Sequence, residues 1–160
     1  MGKINKNIPF IAYNQLDKAL VDKSARIVDS SGVMDMIEKW RIVDGYDKNK
    51  GGRPRYIPLR SALISMLVLG IQSQPHHITR GRDILCYQTT KNAWDALGLP
   101  VDDFKNRQDH LESSRWYDRL WKSVHVILDV FNPYPEVSFK RRYSKDEYEE
   151  LAATRNKNLI

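Results

Sequence analysis

The sequence has little of what several common classes of protein require. It contains one cysteine, Cys86, among 160 residues, so no disulfide can form within the chain, as is usual in a reducing compartment. Its longest apolar stretch, 62–71, is interrupted by Ser65 and Gly70 and is far shorter than the ~20 residues of a membrane span. The N-terminal residues have no apolar segment typical of a secretory signal. These absences predict a soluble, cytoplasmic protein.

Motifs of catalysis and metal binding are also missing from the sequence. There is no Gly-x-Ser-x-Gly, no glycine-rich phosphate loop and no zinc-finger spacing of cysteine and histidine. His76 and His77 lie near Cys86 in sequence, but their spacing matches no known site, and acids such as Asp102 and Asp103 are more often capping or solvated. The sequence therefore favours a protein without enzymatic activity, cofactor or metal.

Positive charge is present in excess. Lysine and arginine number 26 against 20 aspartate and glutamate, which gives a formal net charge of +6. Natural partners of such a chain are polyanions: DNA, RNA or an anionic membrane. Many basic proteins bind none of these, so the distribution of the charge has to decide.

Apolar residues recur at helical spacing along most of the chain. The candidate helices cover residues 15–28, 33–40, 58–71, 78–85, 90–97 and 117–131. The third is apolar almost all round at 62–71, which is typical of a buried central helix. Ser30 and Ser31 are candidate N-caps of the second helix, and Ser144 with Glu147 forms the capping-box pattern of a final helix. We expect an all-α, compact domain of about five to six helices.

Residues 78–98 have the proportions of a helix-turn-helix. A helix capped by Thr79, a tight connector at 86–89 and a second short helix follow one another. In that motif the second helix enters the DNA major groove and its first residues meet the base edges. The candidate base-reading residues are Thr89, Thr90, Lys91 and Asn92, and the candidate phosphate contacts are Arg80 and Arg82. The alternative is ordinary packing, since any small helical protein contains successive short helices.

The loop before the central helix is strongly basic. Between residues 48 and 60 it carries five basic side chains and no acid. Its Gly-Arg-Pro at 52–54 partly matches the core of an AT-hook, which lies in a narrow minor groove. We predict DNA contacts by Lys50, Arg53 and Arg55, and the alternative is a solvated linker.

Two further groups of residues have a functional and a structural interpretation. Lys140, Arg141 and Arg142 can grip phosphates, although a solvated surface run is the commoner role of such a cluster. The aromatic residues Trp94, Trp116, Tyr117 and Trp121 could stack on single-stranded bases, but their helical spacing favours core packing.

The order of these segments resembles the N-terminal region of bacterial insertion-element transposases, over roughly residues 33–154. The resemblance is carried by Gly51-Gly52-Arg53-Pro54-Arg55, the apolar helix at 62–71, Gln74-Pro75-His76-His77-Ile78-Thr79, the helix at 116–131 with Asn132-Pro133, and Tyr143-Ser144-Lys145-Asp146-Glu147-Tyr148. In such enzymes the N-terminal helical part binds the ends of the element. A downstream domain with an RNase-H-like fold supplies three carboxylates for two metal ions.

The resemblance implies DNA binding and no catalytic residue, because the sequence has no strand pattern carrying such acids. We expect a flexible lead at 1–14, a helical DNA-binding domain at 15–135, and a basic segment with a C-terminal helix at 136–160. Such a chain would be a truncated or separately encoded fragment that occupies transposon ends, and its partner would be double-stranded DNA.

Two other functions stay open at this point. A stand-alone transcription regulator would use the same helix-turn-helix and bind paired half-sites as a homodimer, with the helix from Trp116 to Phe131 as the candidate interface. A helical protein-interaction module would carry its basic residues as ordinary surface. A shared cationic surface would favour DNA binding over this last alternative.

Overall fold

The computed structural model describes residues 15–47, 49–52, 55–132, 144–147, 149–150 and 153. The helices between residues 15 and 132 are α1 (Lys18–Ser31), α2 (Val33–Val43), α3 (Leu59–Ile71), α4 (Ile78–Asp83), α5 (Lys91–Ala96) and α6 (His110–Val130). A π-helical turn, Ile84–Gln88, continues α4, and a 3₁₀ turn, Val101–Asp103, precedes α6. Within the described residues the sole β-type pairing is a bridge between Leu16 and Thr89. The predicted all-α class is confirmed.

The centre of the molecule is α3, as its apolar sequence predicts. It packs against α1, α6 and α4. Ala62, Ile64, Val68 and Leu69 are buried, and most of the remaining apolar side chains of α3 are partly buried against them. A helix that is apolar almost all round is stable only when neighbours cover it on several sides.

Two tryptophans connect α5 to α6. Trp94 and Trp116 are fully buried, and their rings meet edge to face with centroids 5.0 Å apart. The Trp94 indole N–H donates to the Pro100 carbonyl over 2.8 Å, and Phe104 packs edge-on against the same ring at 5.7 Å. Core packing of these two aromatics, which their spacing favoured, is confirmed.

At the junction of α1 and α2 the predicted N-caps, Ser30 and Ser31, are wrong. Gly32, with φ of 70°, is both the C-cap of α1 and the N-cap residue of α2. The chain turns there through the left-handed region, which glycine adopts readily. Ser31 is therefore not the N-cap of α2, although its hydroxyl accepts a 3.2 Å bond from the Val33 N–H. Of the residues in α2, Ile37 alone is fully buried.

The backbone after α4 differs from the predicted tight connector at 86–89. The chain stays helical through Gln88 by widening into the π-helical turn. Thr89 closes that turn, since its N–H donates to the Ile84 carbonyl over 2.9 Å and its hydroxyl donates to the same oxygen over 2.7 Å. The predicted cap at Thr79 is also wrong: the N-cap of α4 is His77, which has no side-chain capping bond.

The approach of α4 to α6 is close because residue 81 is glycine. An added Cβ there would lie 2.7 Å from Cδ2 of Leu120, a fully buried side chain of α6. The same helix α6 buries Trp116, Val124 and Ile127, which lie in the stretch from Trp116 to Phe131 proposed as a dimer interface. These side chains are core of this chain, whereas Leu128 and Phe131, near the end of the stretch, are exposed.

Beyond residue 132 the structure describes a few positions, and they contain the predicted capping box. The Ser144 N–H donates to Glu147 Oε2 over 2.8 Å, and the Glu147 N–H donates to the Ser144 hydroxyl over 3.3 Å. Residues 145–147 and 149–150 are helical. The proposed lead at 1–14 and the proposed boundary at 135–136 lie outside the described residues.

Buried serines hold distant segments together. The Ser123 hydroxyl on α6 donates to the Ile57 carbonyl over 2.6 Å, and the Ser61 hydroxyl on α3 donates to the Leu97 carbonyl over 2.5 Å. Ile57 ends the basic loop and is itself buried, so the bond from Ser123 fixes that end of the loop against α6.

Replacing Ser123 with alanine should lower the free energy of unfolding by about 1–3 kcal/mol, because the buried Ile57 carbonyl loses its donor. Urea unfolding followed by circular dichroism measures this. Ser30→Ala is the matched control: its hydroxyl bond is exposed, so the change should stay within about 0.5 kcal/mol. Equal losses in the two variants would contradict the anchoring role of Ser123.

Candidate nucleic-acid interface

The basic loop lies beside the end of α2. Lys50 and Arg55 are exposed, whereas Arg53 lies outside the described residues. Partial burial lowers the pKa of Arg55, and the positive charge of Arg41 acts in the same direction. The Arg41 guanidinium itself rests over the Tyr46 ring, 3.7 Å from the centroid. The charge of Arg41, an arginine that the sequence pattern did not single out, thus acts on Arg55.

Tyr56, the loop residue after Arg55, contacts an arginine of α6. The Arg119 guanidinium lies 3.9 Å from the centroid of Tyr56 and 4.7 Å from that of Trp116. A cation over two aromatic faces is held in place by both of them. Arg119 therefore continues the positive charge from the loop onto α6.

The charges of three arginines act on Cys86, which lies in the π-helical turn. Cys86 is fully buried there, and burial raises the pKa of its thiol to about 12. The charges of Arg82, Arg107 and Arg119 act against this rise, whereas Asp83 adds to it. These arginines come from α4, from the segment before α6 and from α6 itself, and each is close enough to act on one sulfur atom.

Arg107 fastens the segment before α6 to the start of α5. Its Nη1 donates to the Phe104 carbonyl over 2.7 Å and its Nη2 donates to the Thr89 carbonyl over 3.1 Å. The guanidinium also lies 3.7 Å above the centre of the Phe104 ring. Burial lowers the pKa of Arg107, yet arginine remains charged at neutral pH.

We call these five side chains the arginine band: Arg41, Arg55, Arg82, Arg107 and Arg119. Short contacts or mutual charge effects connect its members from the end of α2, past the loop and across α6, to the π-helical turn. Sequence reasoning selected Arg55 and Arg82 and missed the other three. Their one local signal is an aromatic residue nearby in sequence, such as Tyr46 after Arg41 or Phe104 before Arg107.

The proposed base-reading residues divide into two pairs. Thr89 is buried, and its hydroxyl is bonded to the Ile84 carbonyl, so it cannot reach a base edge and leaves the set. The Thr90 hydroxyl donates to the Leu16 carbonyl over 3.1 Å and accepts the Ala93 N–H as the N-cap of α5. Lys91 and Asn92, in the first turn of α5, are exposed.

The proposed phosphate contacts on α4 are half-buried. Arg80 has no ion pair among the described residues, whereas Arg82 Nε donates to Asp83 Oδ1 over 2.8 Å. Asp83 is buried, so this pair neutralises part of the Arg82 charge inside the protein. The third predicted cluster, Lys140, Arg141 and Arg142, lies outside the described residues.

The two short helices, α4 and α5, pack against different helices of the domain. α4 packs on α6 and α3, and α5 packs on α1. The bridge from Leu16 to Thr89 brings the start of α1 to the start of α5, with the Leu16 N–H donating to the Gln88 carbonyl over 2.8 Å. α5 is therefore held by α1 and Arg107, with its first turn open to solvent.

Neither a metal-binding cluster nor a membrane-spanning helix occurs in the part of the chain that the structure describes. No group of three or more histidine, cysteine, aspartate or glutamate side chains there is arranged to hold a metal ion. None of the described helices combines the length and the apolar character needed to cross a membrane. The chain matches no protein-family model, no curated protein and no solved structure.

Cys86 should be inert in the folded protein, because it is buried and its raised pKa keeps it a thiol at neutral pH. We expect a thiol reagent such as dithionitrobenzoate to label it on the order of 1000-fold more slowly at pH 7 than in denaturing urea, since labelling requires opening of the structure. The release of thionitrobenzoate measures both rates. Similar rates in the two conditions would contradict the buried position.

Proposed function

We propose that this chain is a double-stranded-DNA-binding module of the transposase type, which recognises the ends of an element and has no cleavage activity of its own. The observation that supports it is the arginine band, in which five arginines from separate segments are linked by contacts and charge effects. Scattered basic residues would have favoured the protein-interaction alternative.

The chemistry of the band suits a phosphate backbone. Arginine keeps its charge and pairs with phosphate through two parallel N–H bonds, which a lysine ammonium cannot do. Stacking on Tyr46, Phe104 and Tyr56 orients three of the guanidinium planes before any ligand arrives. Backbone contacts of this kind fix the register and orientation of a protein on a duplex.

In this proposal, α5 recognises the base sequence of the DNA. Asn92 can pair with adenine through two bonds, and Lys91 can reach guanine or a phosphate. Both are exposed in the first turn of α5. That turn follows the N-cap Thr90, whose hydroxyl donates to the Leu16 carbonyl. Gly51 and Gly52, exposed and with open space around them, keep the loop thin enough to enter a minor groove beside Lys50 and Arg55.

The homodimeric regulator is the weaker alternative. It requires a self-complementary surface. In the stretch from Trp116 to Phe131, the candidate interface, the buried apolar side chains of α6 pack against the core of the same chain. We therefore propose binding of one copy of the chain to an asymmetric site.

Arg55→Ala should weaken binding to a duplex and reduce the magnitude of the slope of log Kobs against log salt by about 0.9, the value for one phosphate contact. Fluorescence anisotropy between 50 and 300 mM salt (about a sixfold range) measures the slope. Lys23→Ala on α1 is the matched control, since it removes the same charge outside the band. Equal effects of the two variants, or no binding by the parent chain, would overturn the proposal.

Asn92→Ala tests base reading separately. After selection of a preferred duplex from a random library, this variant should lose about 1–3 kcal/mol on that duplex and little on random DNA. The expected signature is relaxed preference at one base position in a repeated selection. Thr89→Ser is the control, because it keeps the inward hydroxyl and changes no surface group. An unchanged preference in the Asn92 variant would remove α5 from the reading surface.

A further inference from the structure

A groove lies between the C-terminal ends of α2 and α6. Its volume is about 510 Å³, which is within the range of roughly 300–1,000 Å³ that is typical of ligand-binding pockets. We call it the α2–α6 groove. The residues that line it are Trp40, Val43, Asp44, Asp129, Val130 and Asn132. This described lining contains no basic side chain, so the groove differs from the arginine band in its chemistry.

Large apolar side chains in and beside the groove are exposed. Val43 is 83% exposed, and the rings of Trp40 and Phe131 remain 43% and 40% exposed although they meet edge to face, with centroids 5.3 Å apart. Met36 on α2 and Leu128 on α6 are exposed as well. Contiguous apolar patches that include tryptophan, phenylalanine and methionine are typical of surfaces that bind another protein.

The charge of the groove is opposite in sign to that of the whole chain. Asp44 and Asp129 are exposed, and neither has an ion pair with another described residue. Arg41 lines a smaller adjoining cavity of about 170 Å³, which shares these two aspartates, and its guanidinium rests on the Tyr46 ring. Two carboxylates and one guanidinium leave a negative charge here, on a chain whose formal net charge is +6.

Two helix C-termini add to this negative charge. α2 ends at Val43 and α6 ends at Val130, and residues from both ends line the groove. The last carbonyl groups of a helix carry a partial negative charge, which a nearby cation stabilises. The last turn of α6 contains no basic residue, so it does not supply such a cation itself.

We propose that the α2–α6 groove binds a segment of a partner protein in which a lysine or arginine stands beside an aromatic or aliphatic residue. Asp44 and Asp129 attract the cation, and the exposed face of Trp40 binds it through the π system of the ring. The apolar neighbour of the cation covers Val43 and Phe131. Charge complementarity of this kind selects the partner, and burial of the apolar side chains holds it.

A nucleic acid does not suit the α2–α6 groove. Phosphate groups are repelled by its two aspartates and by the negative ends of the two helices. The groove and the arginine band therefore attract partners of opposite charge. Binding of a basic segment goes beyond the proposed DNA binding and does not depend on it.

Selection from a displayed library of random peptides on the immobilised full chain tests the groove. Peptides that also bind the double variant Val43→Ser/Asp129→Asn are first removed. We expect the remaining peptides to combine lysine or arginine with tryptophan, phenylalanine or leucine. Fluorescence anisotropy with one labelled peptide should then give roughly tenfold or weaker affinity in each single variant.

The matched controls are Asp95→Asn and Leu111→Ser, which remove an exposed acid and an exposed apolar side chain outside the groove. Both should bind the peptide like the parent chain, and circular dichroism checks that every variant is folded. Equal weakening by the controls would overturn the proposal. An empty selection, or selected peptides without a basic residue, would do the same.

Two further measurements identify a different occupant. Dimerisation in sedimentation experiments that Val43→Ser abolishes would assign the groove to a second copy of the chain. Tighter peptide binding after replacement of Lys140, Arg141 and Arg142 by serine would assign it to the chain's own basic cluster. Either result would overturn the partner segment. Peptide binding by a chain that binds no duplex DNA would overturn the proposed function alone.

Discussion

The close approach of α4 to α6 is the constraint on which the rest of the structure depends. Gly81 permits it, because any larger residue would overlap the Leu120 side chain. With the two helices this near, the π-helical turn lies along α6 and Cys86 comes within reach of the charges of Arg82 and Arg119. A small change in backbone separation would part these groups, and the arginine band would lose its connection across α6.

Much of the fold was predictable, because periodicity and capping are local. The apolar spacing of 33–40 and 62–71 matches α2 and α3, and the reciprocal bonds of Ser144 and Glu147 follow from a four-residue pattern. Thr89 shows where local reasoning fails. Its inward hydroxyl depends on a bond to Ile84 that exists only once the helix widens, and no spacing rule indicates that widening.

The candidate site was harder to predict than the helices, since its members meet through tertiary packing. Arg107 and Arg119 are separated in sequence from the loop and from α4, and a nearby aromatic residue is their one local signal. Arg107 stacks on Phe104, and Arg119 stacks on Tyr56 and Trp116. Phe104 and Trp116 both contact the buried Trp94 ring. Such stacking restricts each guanidinium beforehand, which reduces the conformational entropy lost when a ligand binds. The aromatic residues thus serve both the core and the charged surface.

The two ends of the arginine band differ in how well they are packed, because α2 has a single fully buried residue. At the π-helical turn Arg107 is bonded to two carbonyls and Arg82 to the buried Asp83 carboxylate. At Arg41 the supporting helix buries only Ile37 fully and is joined to α1 through Gly32. Segments with few buried contacts open at low free energy. We therefore expect the end of the arginine band on α2 to open at lower free energy than the end at the π-helical turn.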